Sequence, residues 1–216
     1  YDTVTLAPLH PAYVSTVDSG NLAVCLTIAR EGLIEYGRPD LAEKCAALLA
    51  PMSFTPLYDR THRLFSIGFD LEKNALTDSC YDLMASEART AGFYAVARGD
   101  VPRRHWRALS RAMVSSGYYR GMVSWTGSMF EYLMPSLFFR SVEGSLLWET
   151  ERFAARVQQA CGKKRGLPWG VSESAFFALD PALNYRYKAH GCAPLALRRG
   201  MDREYVVAPY ASFLAL

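Results

Sequence analysis

The sequence predicts an all-α chain that carries small β-hairpins, and three observations point to that fold class. Apolar residues recur at helical period over most of the chain, the helical stretches come as neighbouring pairs, and strict alternation is confined to two short patches. A βαβ chain would instead alternate strands with crossover helices throughout.

Each element follows from local signals. Asp18 or Ser19 is placed to cap a helix running to about Tyr36, with Leu22, Leu26, Ala29 and Leu33 on one stripe. Gly37 ends it, and Pro39 opens a partner helix to about Ala50. Residues 54–69 change period: Phe65, Ile67 and Phe69 share a face and Asp59-Arg-Thr-His62 supplies a turn, so a hairpin is expected. A long helix is expected from about Ser79 to Arg98, and a second from Pro102 to about Met113. The alternating patch Tyr119-Arg-Gly-Met-Val-Ser-Trp125 predicts another hairpin over 117–125, and further helices cover roughly 127–139 and 145–161. In the last third, Pro168-Trp169-Gly170 leads into a short helix and Tyr205-Val-Val207 reads as a strand. No repeat or low-complexity linker divides the chain, so residues 1–216 are expected to form a single domain.

Composition removes several function classes. Half of the 216 residues are hydrophobic and 21% are charged, which suits a packed interior and not a disordered segment. A formal charge of +3 with dispersed basic groups argues against a nucleic-acid surface, and Lys163-Lys164-Arg165 fits a solvated turn. The five cysteines (Cys25, Cys45, Cys80, Cys161 and Cys192) form no C-x-x-C and read as free thiols of a reducing compartment. The four histidines show no metal-ligand spacing, so neither a metal nor a cofactor is expected. The chain contains no G-x-S-x-G, P-loop or G-x-G-x-x-G motif, and no apolar run approaches the ~18 residues of a membrane span. It opens on a Tyr and stops at Ala211-Ser-Phe-Leu-Ala-Leu216 without a breaker signal, so a fragment is expected. The 13% aromatic content fits a core, and it equally fits sugar-binding surfaces.

Three glutamates stand out because they fall on apolar faces. Glu87 has Leu83 and Met84 one turn before it and Ala91 and Tyr94 after it on the expected helix. A functional carboxylate and a salt bridge, for example to Arg89, both explain that placement. Glu131 is the sole acid in Met129-Phe-Glu-Tyr-Leu-Met-Pro-Ser-Leu-Phe-Phe139, and Pro135 cannot donate to its carbonyl, so the helix should loosen there. Glu173 follows Ser172, a plausible N-cap, so a first-turn acid is the bland explanation, as capping is for Asp18. The glutamates are spaced by about 40 residues, roughly one helix pair and its connections, so they can meet at one end of a ring of helices. Converging carboxylates flanked by aromatics are the equipment for cleaving a glycosidic bond. Trp125, Tyr132, Trp169, Tyr185 and Tyr187 are the candidate sugar platforms, with core packing as the alternative.

The segments Ser15-Thr-Val-Asp-Ser-Gly-Asn-Leu22, Arg63-Leu-Phe-Ser-Ile-Gly-Phe69, Tyr81-Asp-Leu-Met-Ala-Ser-Glu-Ala-Arg89 and Ser124-Trp-Thr-Gly-Ser-Met-Phe-Glu-Tyr-Leu-Met-Pro135 occur in this order. Pro168-Trp-Gly-Val-Ser-Glu-Ser174, Tyr185-Arg-Tyr187, Ala196-Leu-Arg-Arg-Gly200 and Val206-Val-Ala-Pro-Tyr210 follow them. Together they resemble the glycoamylase-like, cyclising (transglycosylase) domain of bacterial cyclic β-1,2-glucan synthases. The loop His190–Gly200 departs from the family pattern by its loss of glycine. The resemblance implies an (α/α)6 toroid, incomplete within this chain because the family's domain extends past both ends, with a cleft at one end for a β-1,2-glucan chain. It implies Glu87, Glu131 and Glu173 as the acidic catalytic groups and Asp18 as a substrate contact. Asp82 and Arg199, in matching motifs, join the aromatics as substrate-binding candidates. It further implies intramolecular transglycosylation, flanking glycosyltransferase and phosphorylase-like domains in the same parent chain, and a place on the cytoplasmic side of the bacterial inner membrane. An inverting endo-β-1,2-glucanase and a non-catalytic glucan-binding module are the alternatives.

Overall fold

The computed structural model describes residues 1–216. Its chain divides into two compact units, one of residues 1–82 and 88–109, the other of residues 83–87 and 110–216.

The first unit is built on the helix pair that the sequence predicts. After strand β1 (Tyr13–Ser15), helix α1 (Thr16–Glu35) starts three to four residues earlier than expected. Ser15, not Asp18 or Ser19, is the N-cap; its hydroxyl accepts the Asp18 N–H at 3.2 Å. Helix α2 (Pro39–Leu49) begins at the predicted proline. The buried face of α1 is Thr16, Gly20, Ala23 and Val24, while Leu22 points to solvent. Small residues win that face because α1 crosses α3 (Arg89–Arg98) closely: a Cβ on Gly20 would fall 2.3 Å from the Ala91 Cβ.

The hairpin over 54–69 forms as β2 (Tyr58–Asp59) and β3 (Leu64–Ser66), but it belongs to one of two three-stranded sheets. Strand β4 (Gly68–Asp70) lies between β1 and β5 (Ala75–Leu76), and β3 lies between β2 and β6 (Cys80–Tyr81). Phe54, Tyr58 and Phe65 join Ala23, Leu49, Ala91 and Ala95 in the core of this unit. Burying aromatics of this size contributes roughly 1.5–3 kcal/mol each. His105, on the short helix α4 (Arg104–Ala108), is buried against Phe65, and its Nδ1 donates to the Arg63 carbonyl at 3.1 Å.

In the second unit the hairpin of β7 (Met113–Ser116) and β8 (Tyr119–Met122) turns at Gly117, so it starts earlier than the 117–125 expected. Helix α5 (Met129–Leu133) gives way to a 3-10 turn at Met134–Leu137, with Pro135 at its start, as the missing donor requires. Helix α6 (Leu146–Arg165) buries Phe153, Ala154, Val157 and Gln158. Beyond it are β9 (Ser174–Ala175), β10 (Tyr187–Lys188), a 3-10 turn at Ala193–Leu195 and the short helix α7 (Pro209–Phe213).

The expected all-α toroid is therefore wrong. About 40% of the chain is helical and 15% lies in strands or bridges, spread over four small sheets. Three expected helices account for the difference. Residues 79–84 are extended, because Cys80 and Tyr81 pair with β3 and Leu83 and Met84 bridge to Ser110, so the expected helix survives only as α3. The helix from Pro102 stops at Ala108, and Met113 is already in β7. The helix after Gly170 is absent: Val171 bridges to Val207, and Ser174 pairs with Lys188. In each place cross-strand partners satisfy the backbone groups that a helix would otherwise have bonded internally. No helix is long and apolar enough to cross a membrane.

Candidate functional site

The second unit holds Glu87, Glu131 and Glu173, each on a different local frame. Glu131 sits in the first turn of α5, which is closed by a capping box: the Ser128 hydroxyl accepts the Glu131 N–H at 3.2 Å and the Glu131 carboxylate accepts the Ser128 N–H at 3.1 Å. The turn before it delivers more donors. The Ser124 hydroxyl donates at 2.8 Å, the Thr126 hydroxyl at 2.7 Å and the Thr126 N–H at 3.1 Å. Glu131 is buried, and the amides of Thr126 and Ser128 and the hydroxyls of Ser124, Thr126 and, at 3.4 Å, Ser128 serve its carboxylate.

That turn is held from behind. Gly127 has φ of +76°, and a Cβ there would meet the Cys192 carbonyl at 2.5 Å, so both conformation and space require glycine. Gln158 of α6, wholly buried, donates to the carbonyls of Gly127 and Val171 at 3.1 and 3.0 Å and accepts the Val171 N–H at 2.9 Å.

Glu87 lies in the turn just before α3 and not on a helical stripe, which corrects the expected placement. It is partly buried, and the Ser86 hydroxyl approaches it at 3.4 Å. Burial, then the negative charge of Glu131 and more weakly that of Glu173, pushes its carboxyl up to about 7.

Glu173 precedes β9 and is not a first-turn helix acid. Ser172 does not cap a helix of its own; its hydroxyl accepts the Phe130 N–H of α5 at 3.0 Å. A relay continues from there. The Ser172 hydroxyl donates to the Tyr210 hydroxyl at 3.0 Å, which donates to the Glu173 carbonyl at 2.9 Å. The Glu173 carboxylate accepts the Tyr187 hydroxyl at 2.5 Å. Burial raises the Glu173 carboxyl above its ordinary value; the Tyr187 bond opposes this and the Glu131 charge adds to it.

The negative charge of Glu131 acts on both Glu87 and Glu173, and that of Glu173 acts more weakly on Glu87. The other candidates are distributed as follows. Tyr187 is bonded to Glu173, and Tyr185 lies close enough to influence it. Trp125 is 57% exposed, with its carbonyl fixed by the Arg198 N–H, and Trp169 is partly buried. Arg199 is exposed. Tyr132 is a core residue: it is buried, and its hydroxyl lies 2.9 Å from the Met122 carbonyl and 3.2 Å from that of Leu195. Asp18 and Asp82 are exposed residues of the first unit.

Sequence reasoning missed Ser124, Thr126, Gln158 and Tyr210. The alternating hydroxyls ahead of Glu131 and the Ser128-x-x-Glu131 capping box were signals that could have found the nest. Nothing local to Gln158 or Tyr210 identified their partners. Chemically, the arrangement presents a carboxyl that carries its proton to near neutral pH beside two further carboxyls, and such a pairing supports acid/base work at an ether oxygen.

No family model matches the chain. It is 39% identical over 218 aligned residues, 94% of its length, to the cyclic beta-(1,2)-glucan synthase NdvB of Rhizobium meliloti (strain 1021). The chain is related to a segment of that protein and spans 8% of its length.

Proposed function

We propose that the chain forms part of the glycoamylase-like catalytic domain of a β-1,2-glucan-processing enzyme, and that it closes linear glucan into rings by intramolecular transglycosylation. The observation that carries this reading is the Glu87 carboxyl, raised to about 7 beside the charges of Glu131 and Glu173. The similarity to a cyclic glucan synthase supports the substrate.

Ring closure that turns one β-1,2 bond into another retains configuration at C1, which calls for two displacements. Glu87 then protonates the glycosidic oxygen as the Glu173 carboxylate attacks C1 and the C1–O bond breaks. The chain's own 2-hydroxyl next attacks C1, returns its proton to Glu87 and releases Glu173. Glu131, its Oε2 held by Ser124, Thr126 and Ser128, is a positioning residue whose charge helps keep the proton on Glu87. Tyr187 orients Glu173, and Trp125, Trp169 and Tyr185 offer faces to the sugar. The parent protein is read as a larger membrane protein with glycosyltransferase and phosphorylase-like domains, this portion facing the cytoplasm.

Incubation of the chain with linear β-1,2-glucan tests the proposal. Rings support it. Shorter linear products alone replace it with hydrolysis, and binding without turnover replaces it with a glucan-binding module.

A further inference from the structure

The first unit brings together three side chains that the carboxylate site does not use. Asp59 ends β2, His62 lies in the hairpin turn and Cys80 opens β6 on the far side of β3. The Asp59 Oδ1 accepts the N–H groups of Thr61 and His62 at 2.7 and 3.0 Å, which leaves Oδ2 facing the His62 ring, 2.6 Å from Nδ1. The sheet register then places the sulfur. Asp59 is opposite Leu64, Ser66 is opposite Cys80, and Leu64 and Ser66 share a face of β3. Asp59 and Cys80 therefore project on the same side of the sheet, while Tyr58 and Phe65 on the other side enter the core. One carboxylate oxygen, one imidazole nitrogen and the thiol sulfur all lie within 4.8 Å of one another.

We propose that Asp59, His62 and Cys80 form a three-donor site for a zinc-like divalent ion, with water in the fourth position. Sulfur and imidazole donors select zinc over calcium or magnesium, and three protein ligands plus water is a common tetrahedral set. The two backbone amides on Oδ1 fix the carboxylate before the ion arrives, as hydrogen bonds to a ligand do in established sites. Binding exchanges the thiol proton for the metal, one proton released to solvent for each sulfur–metal bond formed. The cation would clip β6 to the β2–β3 turn. Histidine spacing alone gave no sign of the site, because strand pairing supplies the third donor.

Titration of the chelator-washed chain with Co2+ reads the site directly. The expected result is one equivalent bound, with a thiolate-to-cobalt charge-transfer band that Zn2+ abolishes. The band should vanish in Cys80→Ser and in His62→Gln, and persist in Cys161→Ser, which alters a thiol of the second unit that is hydrogen-bonded to Cys192. His62 is largely exposed, so His62→Gln should keep the native circular dichroism and make the test independent of any folding defect in Cys80→Ser. Absence of the band in the parent chain, or its survival in natively folded His62→Gln or in Cys80→Ser, overturns the site. Neither result bears on glucan turnover.

Discussion

The turn at Ser124–Glu131 and the turn at Leu83–Glu87 each hold a glutamate in apolar surroundings, and they treat it in opposite ways. Around Glu131, donors from the alternate positions Ser124, Thr126 and Ser128 aim at one carboxylate. Around Glu87, the Ser86 hydroxyl at 3.4 Å is a weak partner, and burial dominates. Burial by itself therefore does not define a catalytic acid. A carboxylate whose lone pairs are filled by donors anchors the fold, whereas one that is desolvated beside other negative charge holds a proton.

The sharpest way to break this contrast is Glu87→Gln. Turnover of linear β-1,2-glucan should fall by roughly 10²–10⁴-fold, the share that proton transfer supplies, while the unfolding midpoint in denaturant is kept or raised. An unchanged rate would remove Glu87 from the mechanism. Glu131→Ala should do the reverse in its primary effect. Leaving the Ser124, Thr126 and Ser128 donors buried without an acceptor costs on the order of 3–5 kcal/mol, readable by chemical denaturation. If Glu131→Ala were as stable as Glu87→Gln, the two turns would not differ as described.

A pH series sharpens the same point. The Glu87 carboxyl rises from 4.5 in the unfolded reference to about 7 when folded, so between those values the native state holds a proton that the unfolded chain has lost. Its contribution to stability is complete below about pH 4.5 and is lost as pH rises through about 7. Glu87→Gln should flatten that part of the stability curve, and the parent's turnover should decline above about pH 7. The smallest effect is expected from Ser128→Ala, which removes one cap hydroxyl and should cost about 1 kcal/mol in thermal or denaturant unfolding. A loss equal to that of Glu131→Ala would mean that the cap, and not the carboxylate, organises the turn.

Much of the scaffold was legible wherever local rules decide. Pro39 at a helix start, Gly37 after a helix end, the Asp59–His62 turn and the break at Pro135 all lie where the sequence indicates. The failures share one cause. Residues 79–84 carry a helical pattern, yet Cys80 and Tyr81 find strand partners in Phe65 and Ser66, and Ser172 finds the Phe130 amide in place of a helix of its own. Periodicity does not register a partner that is distant in the chain. The toroid expected by resemblance fails for the same reason: short strand pairings within each unit stand where helix pairs were expected.

The sequence by itself determined α1, α2, α6 and the two hairpins, together with the choice of Glu87, Glu131 and Glu173 as residues worth watching. Helix caps, proline geometry and alternation are short-range free energies, so they can be read from neighbouring residues. Only the tertiary structure decided that donors converge on the Glu131 carboxylate, that burial and neighbouring charge raise the Glu87 carboxyl to about 7 and that Glu173 is tied to Tyr187. Those properties depend on desolvation and on charges and donors, many of them brought from segments remote in the chain, and it is packing that brings such groups within reach.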